Sequence, residues 1–171
     1  LAVSKAYSKD LTLGIGAGWA DTVGVTGAFD GSVPATTGGT DAAAASIGQG
    51  RVEVSPLALA VMSGSIGRGT FLAPVLVKGP EATTPRPSPI DGKAVADLRA
   101  MMLSVVAGGS GAEASGAPGG QVRGKTDTAE YGTDPGQLAR VWVTGYQGDI
   151  AFAVLVEEGT SGGEVAAPIA K

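Results

Sequence analysis

The sequence contains the stretch Val122-Arg123-Gly124-Lys125-Thr126-Asp127-Thr128-Ala129-Glu130, which carries an amino group, two hydroxyls and a carboxylate in four consecutive residues. Valine and threonine favour an extended backbone, so this stretch predicts a β-strand. Side chains alternate along a strand, which places Lys125 and Asp127 on one face and Thr126 and Thr128 on the other. Such a strand can hold an ammonium beside a reacting group while its hydroxyls and N–H groups bind an anion.

Two other interpretations of this stretch stay open from the residues alone. An ordinary polar edge strand would also use a lysine, which protects an exposed edge against aggregation. The segment Gly119–Thr126 also fits the phosphate-binding pattern G-x-x-x-x-G-K-T. That pattern needs a strand before the loop and a helix after it. The strand is not predicted, because Gly108–Gly120 has no strand pattern. The helix is not predicted either, because Gly132 and Pro135 leave no room for it.

Composition narrows the class of protein. The 171 residues suit one domain with a substantial core. The formal net charge of −4, without a cluster of Lys and Arg, argues against a nucleic-acid partner. No apolar run is long enough to cross a bilayer, and no signal-peptide pattern is present. Since the chain lacks both His and Cys, we expect no metal, no cofactor and no imidazole or thiolate catalysis.

Periodicity and turn signals predict the other elements. Leu1–Leu13 suggests the end of a helix, and Ser55-Pro56 begins a helix that runs to Gly67. Asp91 caps a further helix, and glycines follow it. Its expected buried stripe is Val95, Leu98, Met102 and Val105.

A β-hairpin is predicted after the opening strand. Leu138–Tyr146 and Ile150–Glu158 form its two strands, and they turn at Gln147-Gly148-Asp149. The second strand is apolar throughout its first seven residues, so we expect it to be central and covered on both faces. The prolines of Glu81–Pro89 argue against regular structure there. The start of a final helix is predicted at Ala166–Lys171.

Four segments, taken in order, resemble the C-terminal part of class B penicillin-binding protein transpeptidase domains. Ser46–Ala60 is similar to the I-G-Q-G segment and the S-P-L helix of that family. Val105–Gly111 resembles the helix exit before the active-site strand. Gly124–Glu130 resembles G-K-T-G-T-A-E, and Arg140–Tyr146 resembles the following W-F-x-G-Y strand.

The resemblance implies an α+β fold of the penicillin-binding protein and serine β-lactamase type, in which helices flank an antiparallel sheet. Residues 1–171 would form the C-terminal portion of one transpeptidase domain. In that family the serine of S-x-x-K is acylated by a D-Ala-D-Ala stem peptide or a β-lactam, and S-x-N assists proton transfer. This sequence has no S-x-x-K and no asparagine. We therefore expect the nucleophile upstream, and the chain alone to be inactive.

The resemblance also implies roles for the residues of the strand. Lys125 would support the proton network electrostatically, and Thr126 and Thr128 would bind the terminal carboxylate of the substrate. The Thr128 N–H would be one oxyanion-hole donor. Asp127 stands where the family has glycine, and two consequences are open. It could pair with Lys125, or it could narrow the substrate site, repel anionic ligands and slow acylation by β-lactams.

Further expectations follow from the same resemblance. The protein would lie in the cell envelope, on the extracytoplasmic face of the cytoplasmic membrane, with an anchor upstream of Leu1. Its partners would be the stem peptide, β-lactams, the upstream half of the domain and other wall-synthesis or division proteins. A non-catalytic paralogue acting as a scaffold is the main alternative. A D,D-carboxypeptidase or a β-lactamase shares the fold and differs in deacylation.

Overall fold

The computed structural model describes residues 39–47, 49, 54–72, 74, 87–131 and 139–171. The helix predicted for Leu1–Leu13 lies outside these residues. The chain divides into two compact units, which are residues 1–58 with 72–88, and residues 59–71 with 89–171.

The first unit contains helix α1 (Gly39–Ser46) and the first turn of helix α2 (Pro56–Arg68). The Ala58 N–H donates a hydrogen bond of 3.1 Å to Ser55 Oγ. This bond satisfies one of the N–H groups that have no partner within the helix. The predicted N-cap and first helical residue are therefore confirmed.

The second unit contains the rest of α2 and the helices and strands that follow it. These elements, some of them short, are β1 (Thr70–Phe71), β2 (Ser88–Pro89, which begins at the border of the units), α3 (Gly92–Gly108), a 3-10 turn (Ala112–Ala114), β3 (Arg123–Ala129), β4 (Ala139–Gln147), β5 (Ile150–Gly159), a π-helical turn (Gly162–Ala166) and α4 (Ala167–Ile169). The expectation of no regular structure over Glu81–Pro89 is wrong at β2. The final helical segment begins at Gly162, earlier than the predicted Ala166. No helix among the described residues is long and apolar enough to cross a membrane.

Helix α3 begins and packs largely as predicted. Asp91 Oδ1 accepts the Ala94 N–H at 2.8 Å, which confirms the cap. On the exposed side Lys93 donates to Asp97 Oδ2 at 2.6 Å, and this hydrogen bond, with the charge of Asp97, raises the pKa of Lys93. The buried stripe differs in part from the prediction, because Val106 is buried whereas Leu98 and Val105 are only half-buried. The buried residues of the helix are Val95, Met102 and Val106.

The three long strands form one antiparallel sheet in the order β3-β4-β5. Arg123 pairs with Tyr146 at one end of β3, and Ala129 pairs with Arg140 at the other. The predicted strand and hairpin are thus confirmed. Among the strands that the structure describes, β4 lies between the other two, so the prediction that Ile150–Val156 is the central strand is not met within this set. A run of apolar residues reports burial and cannot by itself give the position of a strand in a sheet.

One face of the sheet carries the main core. Val141 and Val143 of β4 are fully buried there, and small residues of the helical segments pack with them. The core set is Val106, Ala114, Ala117, Val122, Ala139, Val141, Val143, Ala166 and Ala167. Because these side chains are small, the segments that carry them approach the sheet closely.

Helix α2 covers the opposite face through polar contacts. Thr144 Oγ1 lies 2.7 Å from Ser63 Oγ, 3.1 Å from the Leu59 carbonyl oxygen and 3.0 Å from the Phe152 carbonyl oxygen. Thr144 is buried, so these bonds replace those that water would make. They attach the helix to the centre of the sheet.

Thr144→Val and Tyr146→Phe should differ in their effect on thermal stability. The valine leaves the buried Ser63 hydroxyl without its Thr144 partner and should cost about 1–3 kcal/mol. Tyr146 is 9% exposed, and its buried hydroxyl has no hydrogen-bond partner among the described residues. Its removal should leave the thermal unfolding midpoint of the full-length protein unchanged or raise it. Equal losses in the two variants would contradict this assignment.

Candidate functional site

A groove of about 550 Å³ opens beside β3 within the second unit. Three segments contribute to it, namely the exit of helix α3, the strand β3 and the turn after β5. Its lining residues are Gly109, Ser110, Ala112, Glu113, Thr126, Asp127, Thr128, Ser161, Gly162, Gly163 and Glu164. The groove therefore contains three of the four residues that the sequence singled out.

The threonines of β3 lie on the core-facing side of the strand. Thr126 is paired with Val143 and Thr128 with Val141, and these valines belong to the core. Thr126 is only 6% exposed, and its Oγ1 lies 2.6 Å from Ser110 Oγ. Thr128 Oγ1 accepts a hydrogen bond of 3.3 Å from the Gly162 N–H. Each threonine is thus held by a different neighbouring segment.

Lys125 lies on the other side of the strand and is not among the residues that line the groove. Its side chain is exposed, and its ammonium donates to the Thr126 carbonyl oxygen. The pairing with Asp127 that the sequence left open does not form. Among the described residues the salt bridge observed is that between Lys93 and Asp97. Residues two apart leave a strand about 6.6 Å from each other, whereas the carbonyl oxygen is nearer.

The electrostatic character of the groove is negative. Glu113 and Glu164 border it, and Asp127 contributes to its lining although alternation places the Asp127 side chain on the Lys125 face of β3; among the lining residues that the structure describes there is no Lys or Arg. A cleft lined by charges of one sign focuses its field, so this groove disfavours an anion unless hydrogen-bond donors compensate. The described residues include no group of three or more acidic side chains that could hold a metal ion.

Glycines allow the segments around the groove to approach closely. The N–H groups of Gly109 and Gly111 both donate to the Val105 carbonyl oxygen, at 3.1 and 3.0 Å, which forms a tight turn at the end of α3. A Cβ atom added to Gly163 would overlap the Ser110 carbonyl oxygen. The position of Ser110 is therefore fixed from two sides.

Several residues of the groove were not singled out from the sequence. Ser110 appeared only as part of a glycine-rich helix exit, although a hydroxyl within such a turn is a usable signal. The segment Ser161-Gly162-Gly163-Glu164 has the S-x-x-E spacing of a capping box. The Glu164 N–H does donate to Ser161 Oγ at 3.1 Å, so this signal predicted a helix start that the sequence analysis did not use.

The phosphate-binding interpretation is contradicted by the structure. Lys125 and Thr126, the last two residues of the G-x-x-x-x-G-K-T match, lie inside strand β3. The mechanism of that motif needs them at the start of a helix, where N–H groups face the phosphate. The sequence therefore matches the phosphate-binding pattern without forming the structure that the pattern requires.

Comparison with known proteins gives a consistent result. The family model described as the penicillin binding protein transpeptidase domain matches residues 2–171. The Peptidoglycan D,D-transpeptidase PbpA of Mycolicibacterium smegmatis is 36% identical over 156 residues, which cover 77% of this chain and 31% of that protein. Its counterpart from Mycobacterium tuberculosis H37Rv is 35% identical over 148 residues. The chain thus spans about a third of the length of these relatives.

Solved structures agree with the sequence relatives. Penicillin-binding protein A from M. tuberculosis, as an imipenem acyl-enzyme complex, matches with a TM-score of 0.67 and 28% identity, covering 85% of this chain and 36% of that one. The transpeptidase domain of Burkholderia pseudomallei penicillin-binding protein 3 matches with a TM-score of 0.72 and 26% identity, covering 98% and 57%. The predicted α+β class is confirmed.

Gly163→Ala should destabilise the protein and displace Ser110. The added methyl group meets a backbone oxygen that cannot move away easily, so the cost should be about 1–3 kcal/mol. Gly108→Ala is the matched control, because a Cβ atom there meets nothing within 4 Å. Thermal unfolding midpoints of the full-length protein compare the two. A Gly163→Ala protein as stable as Gly108→Ala would show that the contact is absent.

Proposed function

The chain belongs to the penicillin-binding protein transpeptidase domain family and resembles its class B members, and we propose that it forms one wall of the active site of a serine D-Ala-D-Ala transpeptidase. The complete enzyme would cross-link peptidoglycan stem peptides through an acyl-enzyme. Since the sequence has no S-x-x-K, the nucleophilic serine comes from a part of the protein outside this chain. The chain alone is inactive in this proposal.

The observation that carries the proposal is the arrangement of β3 within this family fold. The K-T-x-T strand is at one end of the order of the described strands, and Thr126 and Thr128 border an open groove. Hydroxyl groups at such a position can donate to the terminal carboxylate of a stem peptide or of a β-lactam. Lys125, exposed on the other side of the strand, contributes positive charge near the strand edge.

In the proposed mechanism the serine attacks the carbonyl carbon of the penultimate D-Ala, and the terminal D-Ala leaves. Negative charge develops on the carbonyl oxygen during this attack. The Thr128 N–H is one donor to that oxygen, and such a donor is commonly worth about 2.7–4 kcal/mol. The Lys125 ammonium favours the anionic states of the proton network electrostatically. An amine of a second stem peptide then takes the acyl group and forms the cross-link.

The location and partners follow from the same proposal. The relatives are named as peptidoglycan transpeptidases, so the protein acts in the cell envelope. We place the domain on the extracytoplasmic face of the cytoplasmic membrane, with its anchor outside this chain. The upstream half of the domain completes the cleft, and further wall-synthesis proteins are its expected assembly partners.

A second candidate function is a catalytically attenuated or non-catalytic wall-synthesis scaffold. It is favoured by Asp127, which stands in place of the family's glycine, and by Glu113 and Glu164 on the same groove. These carboxylates, in the groove or beside it, weaken the binding of an anionic substrate, because the described lining residues include no cation. The two candidates differ in whether the protein forms an acyl-enzyme at a useful rate.

The full-length protein should be labelled covalently and stoichiometrically by a fluorescent penicillin. Lys125→Ala should slow labelling roughly 100-fold, since charge stabilisation at the reacting group is lost. Lys93→Ala removes an exposed lysine on α3 and should have no effect. The gel fluorescence of labelled protein over time measures these rates. A wild-type protein that stays unlabelled would favour the scaffold.

Asp127→Gly should raise the rate of acylation by an anionic penicillin about 5- to 10-fold, which corresponds to roughly 1 kcal/mol of relieved repulsion. Asp127→Asn should give part of this gain, because it removes the charge and keeps the bulk. Asp149→Asn, in the turn between β4 and β5, carries the same charge change and should leave the rate unaltered. Unchanged acylation in both Asp127 variants would contradict an inhibitory role.

A further inference from the structure

We propose that Ser110 is a positioning residue, which donates its hydroxyl proton to Thr126 Oγ1 and thereby directs the Thr126 proton into the groove. The inference rests on the proposed function, because it assigns the ligand group as a carboxylate. Ser110 lies outside β3 and is brought to it only by the fold. The contact of 2.6 Å between the two hydroxyl oxygens carries the inference.

The position of Ser110 is determined by the backbone around it. Gly109 and Gly111 share the Val105 carbonyl oxygen as acceptor, so the turn that carries Ser110 is tight. Gly163 lies directly against the Ser110 carbonyl oxygen, where no side chain would fit. Ser110 is itself exposed, but its backbone is held by these contacts, unlike that of a serine on a free loop. Its hydroxyl lies next to that of Thr126, which is only 6% exposed.

The hydrogen bond between Ser110 and Thr126 can run in either of two directions. Each hydroxyl has one proton to donate and lone pairs to accept. If Thr126 donates to Ser110, Thr126 presents only a lone pair to the groove, which repels a carboxylate. If Ser110 donates to Thr126, the Thr126 proton is available to the ligand. A carboxylate only accepts hydrogen bonds, so a carboxylate that contacts Thr126 Oγ1 selects the second arrangement.

The charge of the groove makes the direction of this proton important. The described lining residues include the acidic residues Glu113 and Glu164, with Asp127 beside them on β3, and no basic residue. A carboxylate is therefore bound here through oriented hydroxyl and N–H donors. Loss of the Ser110 hydroxyl frees Thr126 to rotate and donate elsewhere. Ser110 should thus affect carboxylate binding and leave the binding of a neutral analogue almost unchanged.

The test measures noncovalent binding to the full-length protein with 13C-labelled threonine methyl groups. The Thr126 methyl resonance, assigned by its loss in Thr126→Ser, is followed during titration with N-acetyl-D-alanine and with its neutral amide. In Ser110→Ala the carboxylate should bind about 3- to 10-fold more weakly, the range expected for one hydrogen bond. Binding of the amide should change less than twofold.

Further variants separate positioning from a structural role. Ser110→Thr should restore carboxylate binding, and Ser110→Cys, which keeps the shape but donates weakly, should behave like the alanine variant. Ser115→Ala removes an exposed serine of the same loop and should bind like wild type. Equal weakening of both ligands, no weakening in Ser110→Ala, or no recovery in Ser110→Thr would overturn the inference.

Acylation by a fluorescent penicillin, measured on the same samples, distinguishes this inference from the proposed function. A wild-type protein that is acylated but whose Thr126 resonance does not respond to the carboxylate contradicts the inference alone. A protein that binds the carboxylate through Thr126 and Ser110 but is never acylated supports the inference and contradicts the proposed function.

Discussion

The antiparallel pairing of β3 with β4 determines on which side of the sheet each polar group of the strand lies. The register joins Thr126 to Val143 and Thr128 to Val141, and those valines are buried in the core. Alternation then directs Lys125 to the opposite face. A shift of the register by one residue would move the threonines to the opposite face and Lys125 to the core-facing side. The burial of β4 therefore stabilises the arrangement of the candidate site as well as the fold.

The second constraint is the close approach of two backbone segments to this strand. The turn after α3 supplies Ser110, and the turn after β5 supplies the Gly162 N–H, and each binds one threonine. Glycines make this approach possible, because a side chain at Gly162 or Gly163 would overlap backbone atoms. The hydroxyls of β3 are consequently held by segments distant in sequence.

The acidic residues at the groove bear on the proposed function. Glu113 and Glu164 border the groove, and Asp127 stands where the motif that the sequence resembles has glycine. In the proposed transpeptidase the ligand of this region is anionic, and its binding would depend on oriented hydrogen-bond donors and on positive charge from the Lys125 side of the strand. A transpeptidase needs these donors to outweigh the repulsion between the acidic side chains and the anionic ligand. A scaffold does not.

The sequence by itself determined the elements and the family. The caps at Ser55 and Asp91, the strand around Lys125 and the hairpin are all local signals, in which a residue and its near neighbours decide the conformation. Local signals did not predict the place of β5 among the described strands, because an apolar run is compatible with several positions in a sheet. They also failed for Ser110 and Gly162, whose contacts with β3 span 16 and 34 residues. Only the tertiary structure decided which hydroxyls meet and which face Lys125 takes, since these depend on strand order and on close packing between segments far apart in the chain.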